Sequence, residues 1–165
     1  MKKVAVILGS ASDLPVAKEA LNTLADFYVP ALARVLSAHR TPDDLAAFAR
    51  NASDEGYGVL IAFAGKAAHL AGALAAHSLL PVIGVPVSGK DLGGLDALLS
   101  TVQMPKGVPV ATVSIDGAVN AAILAIRILA TNDDNLMKKL ADYARDSKVK
   151  AAQADAEVQK EIDIV

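Results

Sequence analysis

The chain has 165 residues, of which 53% are hydrophobic and 21% charged, so it can bury a core and disorder over most of it is excluded. It has no cysteine, which excludes disulfide scaffolds, thiol catalysis and cysteine-held metal sites and fits the cytoplasm, where we expect the protein to act. The net charge of -2 leaves no basic face for nucleic acid, and no apolar run reaches the length of about 18 residues that a membrane span needs. We therefore expect neither nucleic acid nor a membrane as a partner.

Five short apolar runs, each ending in turn residues, are predicted to be strands. Nearly every run is apolar on both faces, as strands covered by helices on each side require. The runs are Val4–Leu8, Ala31–Leu36, Val59–Phe63, Val82–Val85 and Val110–Val113.

Helical patterns fill the intervals between these runs. The first follows Pro15, and the second begins with Thr41 as its cap and Pro42 at its first position. Three more are predicted over Ala67–Ser78, near Leu95–Ser100 and over Asn120–Ala130. Strands alternating with helices predict an α/β fold in three layers, a doubly wound (flavodoxin-like) parallel sheet with a C-terminal helical extension.

The character of the sequence changes at Asp133, because 14 of the last 33 residues are charged and lie at helical spacing. A narrow apolar stripe, Leu136, Leu140, Tyr143 and Ala144, thins out further along. We therefore divide the chain into an α/β domain over residues 1–132 and a helical extension over residues 133–165 that is solvated or packed on a neighbouring subunit. The alanine-rich helices and the hydrophobic excess favour a homo-oligomer.

In doubly wound sheets a ligand binds beyond the carboxyl ends of the strands. The first strand is followed by Gly-Ser-Ala-Ser-Asp, residues 9–13, which leads into a helix. Free backbone N–H groups at a helix start attract anions, so this loop is either a phosphate site or an ordinary serine–aspartate cap. Asp13 in turn either caps the helix or accepts a hydrogen bond from a sugar hydroxyl.

The second strand is followed by His39 and Arg40, directly before a capped helix. Arginine binds phosphate with a bidentate fork, and histidine exchanges protons near neutral pH. A lone loop histidine is often without function, but this one is predicted opposite the Gly-Ser loop. Two strand ends are therefore expected to converge on one anion.

The third strand end is rich in glycine and alanine and carries Lys66 and His69. Small residues let a helix start approach a ligand closely, and Lys66 adds a positive charge. His69 is either a structural histidine or a catalytic one. The three histidines do not predict a metal site, because no carboxylate lies at ligand spacing beside them.

Six collinear motifs carry a resemblance to a known family. They are GSASD, SAHRTPD, AGKAAHLAG, PVIGVPV, GLDALLSTVQMPKGVPVATV and NAAILAIRILA, and they cover the chain from Val4 to about Ala130. The chain resembles 5-(carboxyamino)imidazole ribonucleotide mutases, the bacterial branch of the aminoimidazole ribonucleotide carboxylase family. The resemblance implies a metal-free and cofactor-free isomerase of purine biosynthesis that assembles as an octamer with shared sites.

The resemblance also implies roles for residues at the first three strand ends. His39 matches the family's acid–base histidine, and Asp13 matches the residue that would hold the ribose hydroxyls. Ser10, Ser12 and Arg40 match the positions facing phosphate. The full substrate-binding set that follows is Ser10, Ser12, Asp13, Ser37, Ala38, Arg40, Gly65, Lys66, Ala68, His69 and Leu70.

The chain departs from the family pattern at three positions. Phe63, Lys66 and Ala71 stand where the family usually has a glycine, a glycine and a proline. Phe63 thickens the core, while Lys66 contacts substrate, pairs with an acid across an interface or points to solvent. The serines, Asp13, His39 and Arg40 are intact, which favours an active site.

Three other functions are open. One is a carboxylase that uses aminoimidazole ribonucleotide and free carbon dioxide. Another is a flavodoxin-like module that binds a mononucleotide without catalysis, although three Phe, three Tyr and no Trp leave few aromatics to stack on a flavin. The third is an alanine-rich scaffold, which leaves the histidine–arginine cluster without an explanation.

Overall fold

A computed structural model describes residues 1–162 and contains one parallel sheet of five strands in the order β2-β1-β3-β4-β5. The strands are β1 (Lys3–Leu8), β2 (Ala31–Val35), β3 (Tyr57–Gly65), β4 (Val82–Val87) and β5 (Ala111–Thr112). All four neighbouring pairs are parallel. The predicted doubly wound α/β fold is confirmed.

Six α-helices connect and flank the strands in the described residues. They are α1 (Leu14–Asp26), α2 (Pro42–Asn51), α3 (Leu70–His77), α4 (Leu95–Val102), α5 (Ala118–Ala130) and α6 (Asp134–Ile162). A single 3-10 turn, Ala11–Asp13, joins the end of β1 to α1. Each predicted helix is present, and α3 begins at Leu70, three residues later than predicted.

The alternation of side chains along β1 divides the core into two halves. Val4, Val6 and Leu8 join a cluster with residues of α1 and α5, whereas Ala5 and Ile7 join a cluster with residues of α2 and α3. Both clusters consist of hydrophobic side chains, with Tyr57 as the one member that carries a hydroxyl. Helices therefore cover the central strands on both faces, which gives the predicted three layers.

The edge strand β2 is an exception to this coverage. All five of its residues are exposed, and none belongs to either core cluster. The helical cover expected for nearly every strand does not extend to β2, because the helices pack mainly over β1, β3 and β4 and leave the sheet edge exposed. Its apolar side chains Leu32 and Val35 remain 45% and 51% exposed.

The segment boundaries differ from prediction most at the strand ends near the site. β3 and β4 each run two residues further, to Gly65 and Val87, whereas β5 keeps only two residues. Thr41 is the N-cap residue of α2, as predicted, but its hydroxyl makes no capping hydrogen bond. The hydroxyl instead accepts from the Ser37 amide and donates to the Ser37 carbonyl.

Close packing of α4 on the sheet explains the glycine within PVIGVPV. A Cβ atom on Gly84 would overlap Thr101 Cγ2 and lie 3.0 Å from Val110 Cγ1. The hydroxyl of Thr101, which is buried, bonds within its own helix to the carbonyl of Ala97. Only glycine leaves room on β4 for this helix.

The first part of α6 packs on the body and the rest does not. Leu136 is buried, Leu140 is half-buried, and the Tyr143 ring lies 5.5 Å from the Phe27 ring between centroids. Ala144, predicted as part of the same stripe, is exposed, as is every later residue to Ile162. Residues 163–165 of the predicted extension lie outside the described residues. No helix within residues 1–162 is long and apolar enough to cross a membrane.

Candidate active site

A cleft of about 610 Å³ opens beyond the carboxyl ends of β1, β2, β3 and β4. Eleven of the twelve predicted site residues line it. Its position follows from the parallel pairing, since Leu8, the last residue of β1, pairs with Val35 of β2 and with Phe63 of β3. The loops that leave these three strands therefore start side by side.

The loop after β1 is folded by reciprocal hydrogen bonds. The Ser10 amide donates to Asp13 Oδ2 at 2.9 Å, and the Ser12 amide donates to the Ser10 hydroxyl at 3.4 Å. This is a capping box, so the ordinary cap considered at the sequence level is present. The cap and a ligand site are compatible, because both serines and Asp13 also line the cleft.

Asp13 is the one buried carboxylate of this cleft, with 7% of its surface exposed. Burial raises the pKa of its carboxyl above the ordinary value of 3.8, and the hydrogen bonds from the Ser10 amide and the Ser12 hydroxyl partly offset that increase. Ionisation of the Asp13 carboxyl in the folded protein therefore costs free energy. A buried acceptor of this kind suits a ligand that brings hydroxyl donors.

Ser37 organises the turn after β2. Its amide donates to Thr41 Oγ1 at 3.0 Å, and its hydroxyl accepts from the Arg40 amide at 3.2 Å and from Arg40 Nε at 3.4 Å. Arg40 Nη2 donates to the carbonyl of Gly9 at 3.1 Å. The guanidinium thus joins the loops after β1 and β2, and its remaining N–H groups are available to an anion.

The His39 and His69 side chains form a pair across the cleft. His39 Nε2 lies 2.7 Å from His69 Nδ1, and the two rings meet edge to face with centroids 4.8 Å apart. This distance suits a hydrogen bond, in which either nitrogen can be the donor, depending on the tautomers of the two rings. The sequence left His69 open between a structural and a catalytic histidine, and the structure shows that it lines the cleft in contact with His39.

Lys66 follows β3 directly and has a left-handed backbone with φ of 56°. Its Nζ lies 3.3 Å from Oδ2 of Asp91, and both side chains are largely exposed. The acid is thus in the same chain, which differs from the interface partner considered earlier. The other two departures from the family pattern, Phe63 and Ala71, are buried in the core.

Ala68 is the predicted site residue that does not line the cleft. Its side chain is 2% exposed, and it points into the body while its neighbours Ala67 and His69 face the cleft. Sequence reasoning missed six lining residues: Gly9, Ala64, Ala67, Val87, Ser88 and Gly89. The last three follow from the strand-end rule once β4 is extended to Val87.

The donor set of the cleft does not form a metal site. Within residues 1–162 no three His, Asp or Glu side chains lie close enough together to hold an ion. The cleft instead combines backbone amides and cations, groups suited to binding an anion, with a hydrogen-bonded imidazole, a group suited to proton transfer.

The chain is similar to known proteins of one family. The family model described as AIR carboxylase matches residues 3–150. The chain is 56% identical over 148 residues to N5-carboxyaminoimidazole ribonucleotide mutase of Pyrococcus abyssi, covering 90% of this chain and 85% of that protein. It is 51% identical over 142 residues to the chloroplastic phosphoribosylaminoimidazole carboxylase of Vigna aconitifolia, covering 86% of this chain and 26% of that protein.

Among solved structures, the crystal structure of Treponema denticola PurE is similar, with a TM-score of 0.84. The sequence identity is 25%, and the match covers 93% of this chain and 96% of that one.

Replacing Asp13 tests the cost of the buried carboxylate. Because its folded pKa is raised, its ionisation weakens the fold as the pH rises through that pKa, and the effect is absent below the ordinary value of 3.8. We expect Asp13→Asn, which retains an acceptor for the Ser10 amide, to be at least as stable as the parent at neutral pH. Thermal unfolding should show this advantage shrinking towards pH 4. A variant that is less stable at neutral pH than at acid pH, relative to the parent, would contradict the assignment.

Proposed function

The chain belongs to the AIR carboxylase family, and we propose that it is an isomerase of de novo purine biosynthesis. It moves the carboxylate of 5-(carboxyamino)imidazole ribonucleotide from the exocyclic nitrogen to the ring carbon, giving 5-amino-1-(5-phosphoribosyl)imidazole-4-carboxylate. The observation that carries the proposal is the His39–His69 pair, which lies in one cleft with an arginine and a capped anion-binding loop.

The loops after β1 and β2 bind the phosphoribosyl group in this proposal. Arg40, held between Gly9 and Ser37, presents its free N–H groups to the phosphate together with the Ser10 and Ser12 hydroxyls. Asp13 accepts hydrogen bonds from the ribose hydroxyls. That contact compensates the ionised carboxylate for its lost hydration.

His39 carries the proton transfers. When the bond between the exocyclic nitrogen and the carboxyl carbon breaks, carbon dioxide leaves and protonated His39 gives its proton to that nitrogen. The ring carbon then attacks carbon dioxide, and His39 removes the proton that the ring carbon still bears. The histidine is protonated again at the end, so the reaction consumes no other reagent.

His69 positions His39 in this scheme. Its Nδ1 lies within hydrogen-bond distance of His39 Nε2 and fixes the orientation of the reactive ring. Small side chains support the same chemistry, because Ala64, Gly65 and Ala67 line the cleft without hydroxyls that would compete for carbon dioxide.

The relatives favour the mutase over the carboxylase. The named mutase matches this chain along most of its own length, whereas the named carboxylase matches along a quarter of its length. A non-catalytic flavin module receives no support, because the cleft lining contains no Phe or Tyr.

Replacement of His39 tests the function. We expect absorbance-monitored conversion of 5-(carboxyamino)imidazole ribonucleotide by the parent chain, with a chelator present and without ATP. His39→Asn should lower kcat by a factor of about 10² to 10⁴ and leave substrate binding measurable. Retained turnover in this variant would refute the role of His39. Activity that requires aminoimidazole ribonucleotide and high bicarbonate would identify a carboxylase instead.

Replacement of His69 tests the positioning role. His69→Ala should lower kcat roughly tenfold to a hundredfold with little change in KM, the size of one lost charge-assisted hydrogen bond. His69→Asn should restore part of the loss, since its amide can occupy the position of Nδ1. His77→Ala is the matched control, because His77 is exposed at the end of α3 and outside the cleft. A raised KM with unchanged kcat would show that His69 only contacts substrate.

We propose that the protein acts in the cytoplasm as a homo-oligomer. The family resemblance implies that this oligomer is an octamer. Support comes from apolar surface that its own body leaves uncovered, on β2 and on the second part of α6. Val149, Val158 and Ile162 are 50% to 60% exposed on α6. We propose that this part of the extension packs on a neighbouring subunit.

Sedimentation velocity tests the assembly. An octamer should sediment at about 135 kDa, eight times the chain mass of 16.9 kDa. The double variant Val158→Asp with Ile162→Asp should shift material to smaller species, because these two residues lie four apart on one face of α6 and the variant places charges in the proposed interface. Gln153→Asp with Gln159→Asp adds the same charge at polar positions of α6 and should sediment like the parent. A monomer at micromolar concentration would refute the proposal.

A further inference from the structure

Lys66 and Asp91 form an ion pair at the rim of the cleft. Lys66 follows β3, and Asp91 lies in the loop between β4 and α4, whose first residues Ser88 and Gly89 line the cleft. The pair therefore connects the loops that leave two neighbouring strands. Lys66 itself also lines the cleft.

The fold gains little from this lysine. Its backbone lies in the left-handed region, with φ of 56°, which strains any residue with a Cβ atom. Its side chain is 78% exposed and that of Asp91 is 74% exposed, and exposed ion pairs contribute little stability. Breaking the ion pair between Lys66 and Asp91 therefore costs little free energy, so an anion that binds in the cleft can replace Asp91 as the partner of Lys66.

The positions of the cations indicate which anion this is. Arg40 donates a hydrogen bond to the loop after β1, which also carries Ser10 and Ser12 of the capping box. Lys66 instead shares the segment after β3 with His69, the partner of the proposed acid–base histidine. A ribonucleotide with its phosphate at Arg40 and its reacting ring at His39 brings its carboxylate to the side of Lys66.

We propose that Lys66 is a specificity-determining residue that binds the migrating carboxylate, and that Asp91 competes with this carboxylate for it. The inference rests on the proposed function. It predicts that the cleft discriminates between carboxylated ribonucleotides and the uncarboxylated ring. Lys66 exchanges Asp91 for the ligand when a carboxylated ribonucleotide binds. It returns to Asp91 when the carboxyl group leaves as neutral carbon dioxide.

Titration calorimetry with two ligands tests the exchange. The ligands are the ring-carboxylated product and aminoimidazole ribonucleotide, which has the same phosphate and no carboxylate. Lys66→Met should raise the Kd of the product roughly five- to tenfold and change that of aminoimidazole ribonucleotide less than about twofold. Lys66→Arg should restore product binding, and Lys66→Gly, which suits the left-handed backbone, should behave like Lys66→Met even if the methionine variant folds poorly.

Replacing Asp91 should change the product Kd in the opposite direction. Asp91→Asn should lower the product Kd about two- to fivefold, because the competing carboxylate is removed, and should leave the Kd of aminoimidazole ribonucleotide unchanged. Lys90→Met is the control, because it removes a cation from the same loop at a position outside the cleft lining. Its Kd values for both ligands should match those of the parent chain.

Two results would overturn the inference. Equal weakening of both ligands in Lys66→Met would assign the lysine to the phosphate, and unchanged product binding in Asp91→Asn would exclude competition. These readouts are binding constants, so they stay separate from the proposed function. A parent chain that binds both ribonucleotides but does not interconvert the carboxylated ones would refute the function and leave the carboxylate preference measurable.

Discussion

The parallel register of β1 with its two neighbours is the constraint on which the site depends. Leu8 pairs with Val35 on one side and with Phe63 on the other, so three loops leave the sheet at adjacent points. Residues that are far apart in the sequence are therefore brought close together by backbone pairing within the sheet. The hydrogen bonds of the loops then orient groups that the sheet has already placed.

The cleft is built from polar groups that form hydrogen bonds with each other. Asp13 accepts from Ser10, Arg40 donates to Gly9, and the two histidines form a hydrogen bond with each other. Each contact preorganises a group and occupies part of its hydrogen-bonding capacity. Hydrogen bonds thus orient the groups at the first two strand ends, whereas an exposed ion pair lies at the third.

The apolar runs predicted the elements, and the rule that ligands bind beyond strand ends predicted where the cleft lies. The twelve candidate residues came from the family resemblance, and eleven of them line that cleft. The sequence did not predict the contacts between loops. His39 and His69 are 30 residues apart, and Lys66 and Asp91 are 25 apart, so their pairing depends on strand order and loop path. Likewise an apolar run shows that β2 is a strand, but its lack of covering helices is a property of its place at the edge.

The exposed part of α6 has a consequence for how the chain keeps its shape. An isolated helix in water gains little from its own hydrogen bonds, and most helices are stabilised by the apolar face they bury. Beyond Tyr143 this helix buries no face on its own body, and its ion pair between Asp142 and Arg145 lies at the start of that part. If the proposed neighbouring subunit covers this part of α6, dilution and salt should loosen this end of the chain before they affect the sheet.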